Sequence, residues 1–340
     1  MADDVAIICA NRQCRVAETG RCIEGLELSK CPHYGRGPDE GVTDQSDEPE
    51  STVGLQLPGA DTLTLEQASR VLRARNARVI AIIGPKGSGK TSLIASLYDL
   101  FQEGSVEGAE YARSETLHAF ELACHDARAA SRRSEPDMER TPLGEVRFYH
   151  LDLAGGPAGS RLALLMGDRA GEEYRSAADD VANLPPFPEI ARADTITVLV
   201  DGQRLLDAGA RHNLRSEIIM MLQAFLDGGV LRASQRLVVV LTKFDAIKTS
   251  PACDRAENDF RQLLVQLERA FGSTFSEIKS CVSAASPKNA VVPRGTGVGE
   301  MLTYWVAPAA FEPAERPTLT KPTRAFGRLS AADASEARDG

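Results

Sequence analysis

The clearest chemistry in this 340-residue chain lies in Gly84-Pro85-Lys86-Gly87-Ser88-Gly89-Lys90-Thr91, which fits G-x-x-x-x-G-K-[ST] at every required position. Glycines at that spacing let backbone N–H groups turn onto a phosphate, where side chains would block the approach. Lys90 is suited to the β- and γ-phosphates of a nucleoside triphosphate, and the Thr91 hydroxyl to Mg²⁺. Gly84, Lys86, Gly87, Ser88, Gly89 and Ser92 complete the expected phosphate-binding set. Further along, Asp168-Arg169-Ala170-Gly171 reads D-x-x-G. Such an Asp holds Mg²⁺ through water, and such a Gly offers its N–H to a γ-phosphate, so the loop orders in one state and relaxes in the other. Asp152-Leu153-Ala154-Gly155 has the same spacing, but it falls at a hairpin turn, before the strand that should carry the motif. Asp168 is therefore the expected metal residue. Thr242-Lys243-Phe244-Asp245 fits [TN]-K-x-D. A carboxylate accepts from both N1–H and the N2 amino group of guanine, and adenine offers no such pair; the Lys243 stem would cover one face of the base. Ser283-Ala284-Ala285 would supply a backbone N–H to guanine O6, although so short a stretch says little by itself.

The elements that must position these residues follow from pattern. Arg78 to Ile83 is a β-branched run read as a buried strand, and Thr91 to Phe101 has apolar residues at helical spacing. Thr64-Leu65-Glu66-Gln67 matches a capping box, opening a helix whose apolar face (Leu65, Ala68, Val71, Leu72) packs beside the first strand. A long polar segment from Glu103 to Gly144 contains a helix over about 117–130. Glu145–Leu151 and Arg161–Met166 form a hairpin across a Gly-rich turn at 155–159. Strands are expected at Thr195–Asp201 and Arg236–Leu241, a last strand and loop over Ser280–Ala285, and helices over 214–226, 254–270 and 299–306. This alternation predicts an α/β fold with a mostly parallel sheet and one antiparallel hairpin strand, ligands binding at the carboxyl ends of the strands.

Four of the seven cysteines cluster at Cys9, Cys14, Cys22 and Cys31, spaced C-x4-C, x7, C-x8-C. A segment of about 30 residues cannot bury a core of its own. Four thiolates around one Zn²⁺ would supply the folding energy, with His33 able to replace one ligand. The first spacing suits such a site and the last is wide for it. The organisation expected is a Cys-rich module over 1–35, an acidic linker over 36–60, the nucleotide-binding domain over 61–307, and a Pro-, Ala-, Arg- and Ser-rich disordered tail over 308–340. The net charge of −9 gives no whole-protein attraction to nucleic acid or anionic membrane. The acidic start, Met1-Ala2-Asp3-Asp4, is unlike a signal peptide, and no apolar run approaches the ~20 residues of a spanning helix. A cytoplasmic protein with reduced thiols is expected.

These motifs resemble the translation-factor-related (TRAFAC) class of P-loop GTPases, and within it the bacterial double-GTPase type. The resemblance spans about 62–306. It rests on the three motifs together with Ser114-Glu115-Thr116-Leu117, Asp168-Arg169-Ala170-Gly171-Glu172, Arg192-Ala193-Asp194 before a strand ending Asp201-Gly202, and the cysteine arm with Thr19-Gly20-Arg21-Cys22 and Cys31-Pro32-His33. It implies a P-loop GTPase fold and a GTP/GDP switch using Mg²⁺, often paired with a second GTPase, in bacterial conflict or signalling systems. One GTPase unit is visible, so the expected partner is a protein effector or a GTPase on another chain. Two departures from Ras-like patterns stand out. Glu172 follows the D-x-x-G glycine, where a glutamine orients water; an anion there is a poor substitute unless its pKa is raised or a cation pairs with it. Lys86 stands where those proteins keep glycine, crowding an arginine finger from a partner. Slow hydrolysis, or a lysine acting in cis, is expected. The switch threonine, a further catalytic candidate beside Lys90 and Glu172, is Thr141 by its position before the first hairpin strand, or Thr116 by the resemblance. Two other functions compete: a nucleotide-binding scaffold that scarcely hydrolyses, and an ATP-using phosphotransferase, against which Asp245 argues.

Overall fold

The computed structural model describes residues 16–22, 27–31, 34, 61–132, 143–159, 161–179, 187–289 and 291–308. The chain divides into two compact units, Met1–Gln56 and Leu57–Gly340. In the first, α1 (Val16–Thr19) and a 3-10 turn (Leu28–Lys30) are described. Cys22 and Cys31 are half-buried free thiols, and Cys9, Cys14 and His33 lie outside the described residues. Among the described residues no three His, Cys, Asp or Glu side chains gather as a metal site. The linker expected over 36–60 also lies outside them, as does the tail from 309 onward.

The second unit is a seven-stranded sheet between helices. In chain order its elements are α2 (Leu65–Ala74), β1 (Ala77–Ile83), α3 (Lys90–Glu103), β2 (Glu110–Arg113), α4 (Leu117–Arg132), β3 (Arg147–Ala154), β4 (Leu162–Asp168), α5 (Gly171–Asp179), α6 (Pro188–Arg192), β5 (Thr195–Asp201), α7 (Gly202–Leu206), α8 (Ala210–Asp227), β6 (Arg236–Thr242), α9 (Phe244–Lys248), α10 (Cys253–Phe271), β7 (Glu277–Val282) and α11 (Val298–Val306). The strand order is β2-β3-β4-β1-β5-β6-β7. β3 alone runs against the others, so its pairings with β2 and β4 are antiparallel and the remaining four pairings are parallel. A strand covered on both faces favours apolar residues on both, which is why β1, β4, β5 and β6 read as mostly apolar runs without a polar alternation. Ile80 and Ile82 of β1 point into the layer formed by α3, α4 and α11; Ala81 and Ile83 point into the layer of α5, α6, α8 and α10.

The capping box on α2 is formed. Gln67 N–H donates to Thr64 Oγ1 at 3.3 Å, and Thr64 N–H donates to Gln67 Oε1 at 2.8 Å. The helix lays Ala68 and Val71 on Val79 of β1, Phe148 of β3, and Ala163 and Leu165 of β4, so it covers three strands rather than lying beside the first alone. The sole tryptophan, Trp305 of α11, is fully buried and donates its indole N–H to Thr197 Oγ1 of β5 at 2.9 Å.

Several elements differ from expectation. β2 was not anticipated: it is a four-residue edge strand, Glu-Tyr-Ala-Arg, with no buried residue to reveal it. The short helices α5, α6, α7 and α9 lack the length that makes a helical period visible. β7 begins three residues before the strand and loop expected over Ser280–Ala285, because this edge strand opens on the charged Glu277 and Lys279 instead of an apolar run.

Candidate functional site

The sheet brings the distant motifs to one end. β1 stops at Ile83 and the chain turns at once into the phosphate loop, whose Gly89 caps α3 in the left-handed region, φ 97°. Gly84 leaves no room for a side chain: a Cβ there would lie 2.8 Å from Ser88 Oγ and 3.1 Å from Leu199 O. Ser88 is fully buried, and its Oγ meets no hydrogen-bonding group among the described residues. Thr91, in the first turn of α3, donates its hydroxyl to Asp168 Oδ2, 3.4 Å away at the end of β4. A hydroxyl and a carboxylate that close together are the kind of oxygen pair a hard cation takes. Lys90 is buried and folds back along the loop, its Nζ donating to Gly84 O (3.1 Å) and Pro85 O (3.3 Å). Burial lowers its pKa, opposed by the charges of Asp168 and Glu172.

Gly171 rests directly on this loop. A Cβ on it would sit 2.7 Å from Lys86 N, 2.8 Å from Gly84 O and 2.8 Å from Lys90 Nζ, so only glycine fits. The next residue, Glu172, accepts from Lys86 Nζ at 2.9 Å, with both side chains about half exposed. That hydrogen bond holds the Glu172 carboxyl below the usual range. The pKa of Glu172 is thus not raised; a cation pairs with it instead, and the cation is the loop's own Lys86.

One group the sequence did not reveal anchors the D-x-x-G segment. Arg169 is buried, donating Nε to Glu189 Oε1 of α6 (2.7 Å) and Nη1 to Glu173 Oε2 of α5 (2.6 Å). It also lies over the Phe187 ring, while Tyr174 donates to Glu189 Oε1 at 3.3 Å. Burial works against the Arg169 charge, but the two carboxylates outweigh it and raise its pKa above the ordinary guanidinium value. Glu189 stands twenty positions from Arg169 in a Pro-rich stretch, and no local pattern announces the pair. Glu173 also accepts from Gly144 N–H at 3.0 Å, tying the segment before β3 to α5.

The Thr242-Lys243-Phe244-Asp245 motif lies at the carboxyl end of β6, next to the loop. Thr242 donates its hydroxyl to Ser88 O at 2.9 Å, fastening β6 to the phosphate loop. Lys243 takes the left-handed region at φ 53° and sends its Nζ to Asp201 Oδ2 at 2.7 Å, at the end of the neighbouring β5. Asp245 is buried, and its Oδ2 accepts from Lys288 N–H at 3.0 Å, which fixes the carboxylate plane. Ser283 N–H goes to Leu241 O and Ala284 N–H to Thr296 O. Of Ser283, Ala284 and Ala285, the last is the one whose N–H meets no acceptor among the described backbone groups.

The two switch-threonine candidates fare differently. Thr116 is buried, its Oγ1 accepting from His150 N–H at 3.0 Å. His150 pairs with Leu165, three rows from the Arg147–Asp168 pair, so Thr116 is roughly 10 Å along the strand from Asp168 by strand rise. The structure does not bring it to the loop. Thr141 lies outside the described residues. Asp152, the second D-x-x-G aspartate, accepts at Oδ2 from both Arg75 (2.8 Å) and Arg113 (2.8 Å), toward the opposite end of the sheet.

A seven-stranded, mostly parallel sheet with one reversed strand and a phosphate loop after β1 defines a P-loop GTPase fold. A family model for Double-GTPase 2 matches residues 78–306, well over half of the chain, and the chain belongs to that family. This makes it a GTP-binding protein of the switch type. Among solved structures it is similar to the signal recognition particle receptor SRb-GTP/SRX complex from Chaetomium thermophilum, at 14% identity and a TM-score of 0.40, covering 68% of this chain and 97% of that one. No curated protein matches. Among the described residues no helix is long and apolar enough to cross a membrane.

Proposed function

We propose that this chain is a Mg²⁺-dependent molecular switch that binds GTP and hydrolyses it to GDP and phosphate, slowly unless a partner acts on it. The observation that carries this reading is the meeting of segments 77 and 154 residues apart at one end of the sheet: Thr91 with Asp168 at 3.4 Å, and Thr242 with Ser88 at 2.9 Å. In this reading Lys90 and the loop N–H groups hold the phosphates, and Asp245 reads the base while Lys243 covers it. Thr91 and Asp168 would hold Mg²⁺, which takes few protein ligands beside phosphate oxygens and would offset their charge. Thr141 is favoured over Thr116 as the switch residue. It lies three positions before Gly144, which is tied to α5, whereas the Thr116 hydroxyl is committed to His150. The proposed partner is a protein effector or a second GTPase on another chain, in a cytoplasmic conflict or signalling system. Cys9, Cys14, Cys22 and Cys31 are proposed to hold one structural Zn²⁺, a role that reduced, half-buried Cys22 and Cys31 can fill.

A second reading, a nucleotide-binding scaffold with little turnover, is favoured by the charged state of Glu172. Pairing with Lys86 offsets the charge, but it also engages the carboxylate that would have to orient water. Phosphate release from GTP and from ATP, with Mg²⁺ and with EDTA, tests both readings. Metal-dependent GTP turnover supports the first. Guanine-nucleotide binding without turnover selects the second. Equal use of ATP overturns the base assignment.

A further inference from the structure

We propose that the Glu172 carboxylate is an intramolecular stand-in for the γ-phosphate, occupying Lys86 until a triphosphate displaces it, so that the Lys86–Glu172 pair sets the preference of the site for GTP over GDP. The proposal rests on the reading of this site as a guanine-nucleotide switch and names a specificity device within it.

Three features of the geometry lead there. The pair bridges two segments that respond to the same phosphate: Lys86 belongs to the loop that cradles it, and Glu172 directly follows the glycine that senses it. Gly171 lies against Lys86 N, Gly84 O and Lys90 Nζ, so the D-x-x-G segment is folded down on the loop and the Lys86–Glu172 pair closes over that contact. Lys90 is meanwhile turned to the Gly84 and Pro85 carbonyls, leaving Lys86 as the cation of the loop that faces a carboxylate within bonding distance.

A γ-phosphate arriving at this seat brings an anion beside Glu172 and an acceptor beside Lys86. The phosphate competes with Glu172 for Lys86, which exchanges a carboxylate for phosphate oxygens. Because Gly171 and Glu172 are consecutive, breaking the pair and lifting the sensing glycine are one movement. A diphosphate ends one group short and leaves the pair closed. Both side chains are about half exposed, and ion pairs of that kind are weak, so opening is cheap enough for one phosphate to drive.

The test is equilibrium binding of fluorescent GDP and a non-hydrolysable GTP analogue to the full chain and to Glu172→Gln, Lys86→Gln, the double variant and Lys86→Arg. The measured quantity is the ratio of triphosphate to diphosphate affinity. Glu172→Gln removes the competing anion and should raise the ratio by about three- to fivefold, the scale of an exposed ion pair. Lys86→Gln should lower it by about tenfold, the scale of a charge-assisted hydrogen bond. The double variant should behave as Lys86→Gln, because without the lysine the two anions have nothing to compete for. Lys86→Arg, which keeps the charge, should stay close to wild type. A ratio unchanged or lowered in Glu172→Gln, or single effects that multiply in the double variant, overturns the proposal while GDP binding stands. Loss of all guanine-nucleotide binding in the wild type would instead overturn the reading of the site itself.

Discussion

At the scale of single residues, the firmest expectation concerns Asp245. Its carboxylate is buried, with Oδ2 accepting from Lys288 N–H. Two hydrogen bonds from guanine to a charged acceptor are worth ~1.5–3 kcal/mol each. Asp245→Ala should therefore cost at least ~3 kcal/mol, more than a hundredfold in GTP affinity. Asp245→Asn gains a donor that suits the O2 carbonyl of xanthine, so it should lose GTP and gain XTP. Competition of the two nucleotides on that variant checks this, and an unchanged preference for GTP would sink the assignment. At the phosphate end, Lys90→Ala and Thr91→Ala should each weaken triphosphate binding strongly with little change in circular dichroism, because one loses a phosphate contact and the other a magnesium ligand. The two motifs stand out in the sequence because their residue types and spacing are fixed, and the fold brings both to one end of the sheet. The Lys86–Glu172 contact was only half legible. Both residues stand out as departures from Ras-like patterns, but nothing in a linear sequence says that positions 86 and 172 lie 2.9 Å apart.

At the scale of elements, Arg169 is what ties the end of β4 to α5 and α6. Removing one partner of a buried ion pair leaves a charge without compensation, which costs ~3–5 kcal/mol. Arg169→Ala should destabilise the fold by that order in urea denaturation. Adding Glu189→Gln should recover part of the loss, since the stranded carboxylate is then neutral; equal stability of the single and double variants would refute the pairing. The helix α2 offers a milder check. Thr64→Ala removes the cap from Gln67 N–H and should cost about 1 kcal/mol. Elements followed from sequence where burial enforces a pattern, as in the mostly apolar runs of β1, β5 and β6. They failed to follow where neighbours, not local pattern, hold the segment. β2 is a strand because β3 pairs with it, and α6 is anchored by Glu189 reaching Arg169.

At the scale of the whole molecule, the cysteine cluster and the nucleotide-binding unit are expected to be separable. Elemental analysis should find about one zinc per chain, four thiolates being the usual structural set. A chain starting at residue 61 should lack zinc and still bind guanine nucleotide; a zinc-free full-length preparation made without chelator would refute the metal proposal. The sheet order lets a single residue report on the second unit. Trp305 is the one tryptophan of the chain, sealed between α11 and β5 with its indole N–H on Thr197. Its emission is therefore a spectroscopic gauge of whether the C-terminal helix is seated against the sheet. It should be blue-shifted in the folded protein and move to the red when α11 leaves its seat. Followed alongside far-ultraviolet circular dichroism in a urea titration, the red shift coincides with loss of the sheet if the unit unfolds in one step, and precedes it if α11 lets go first.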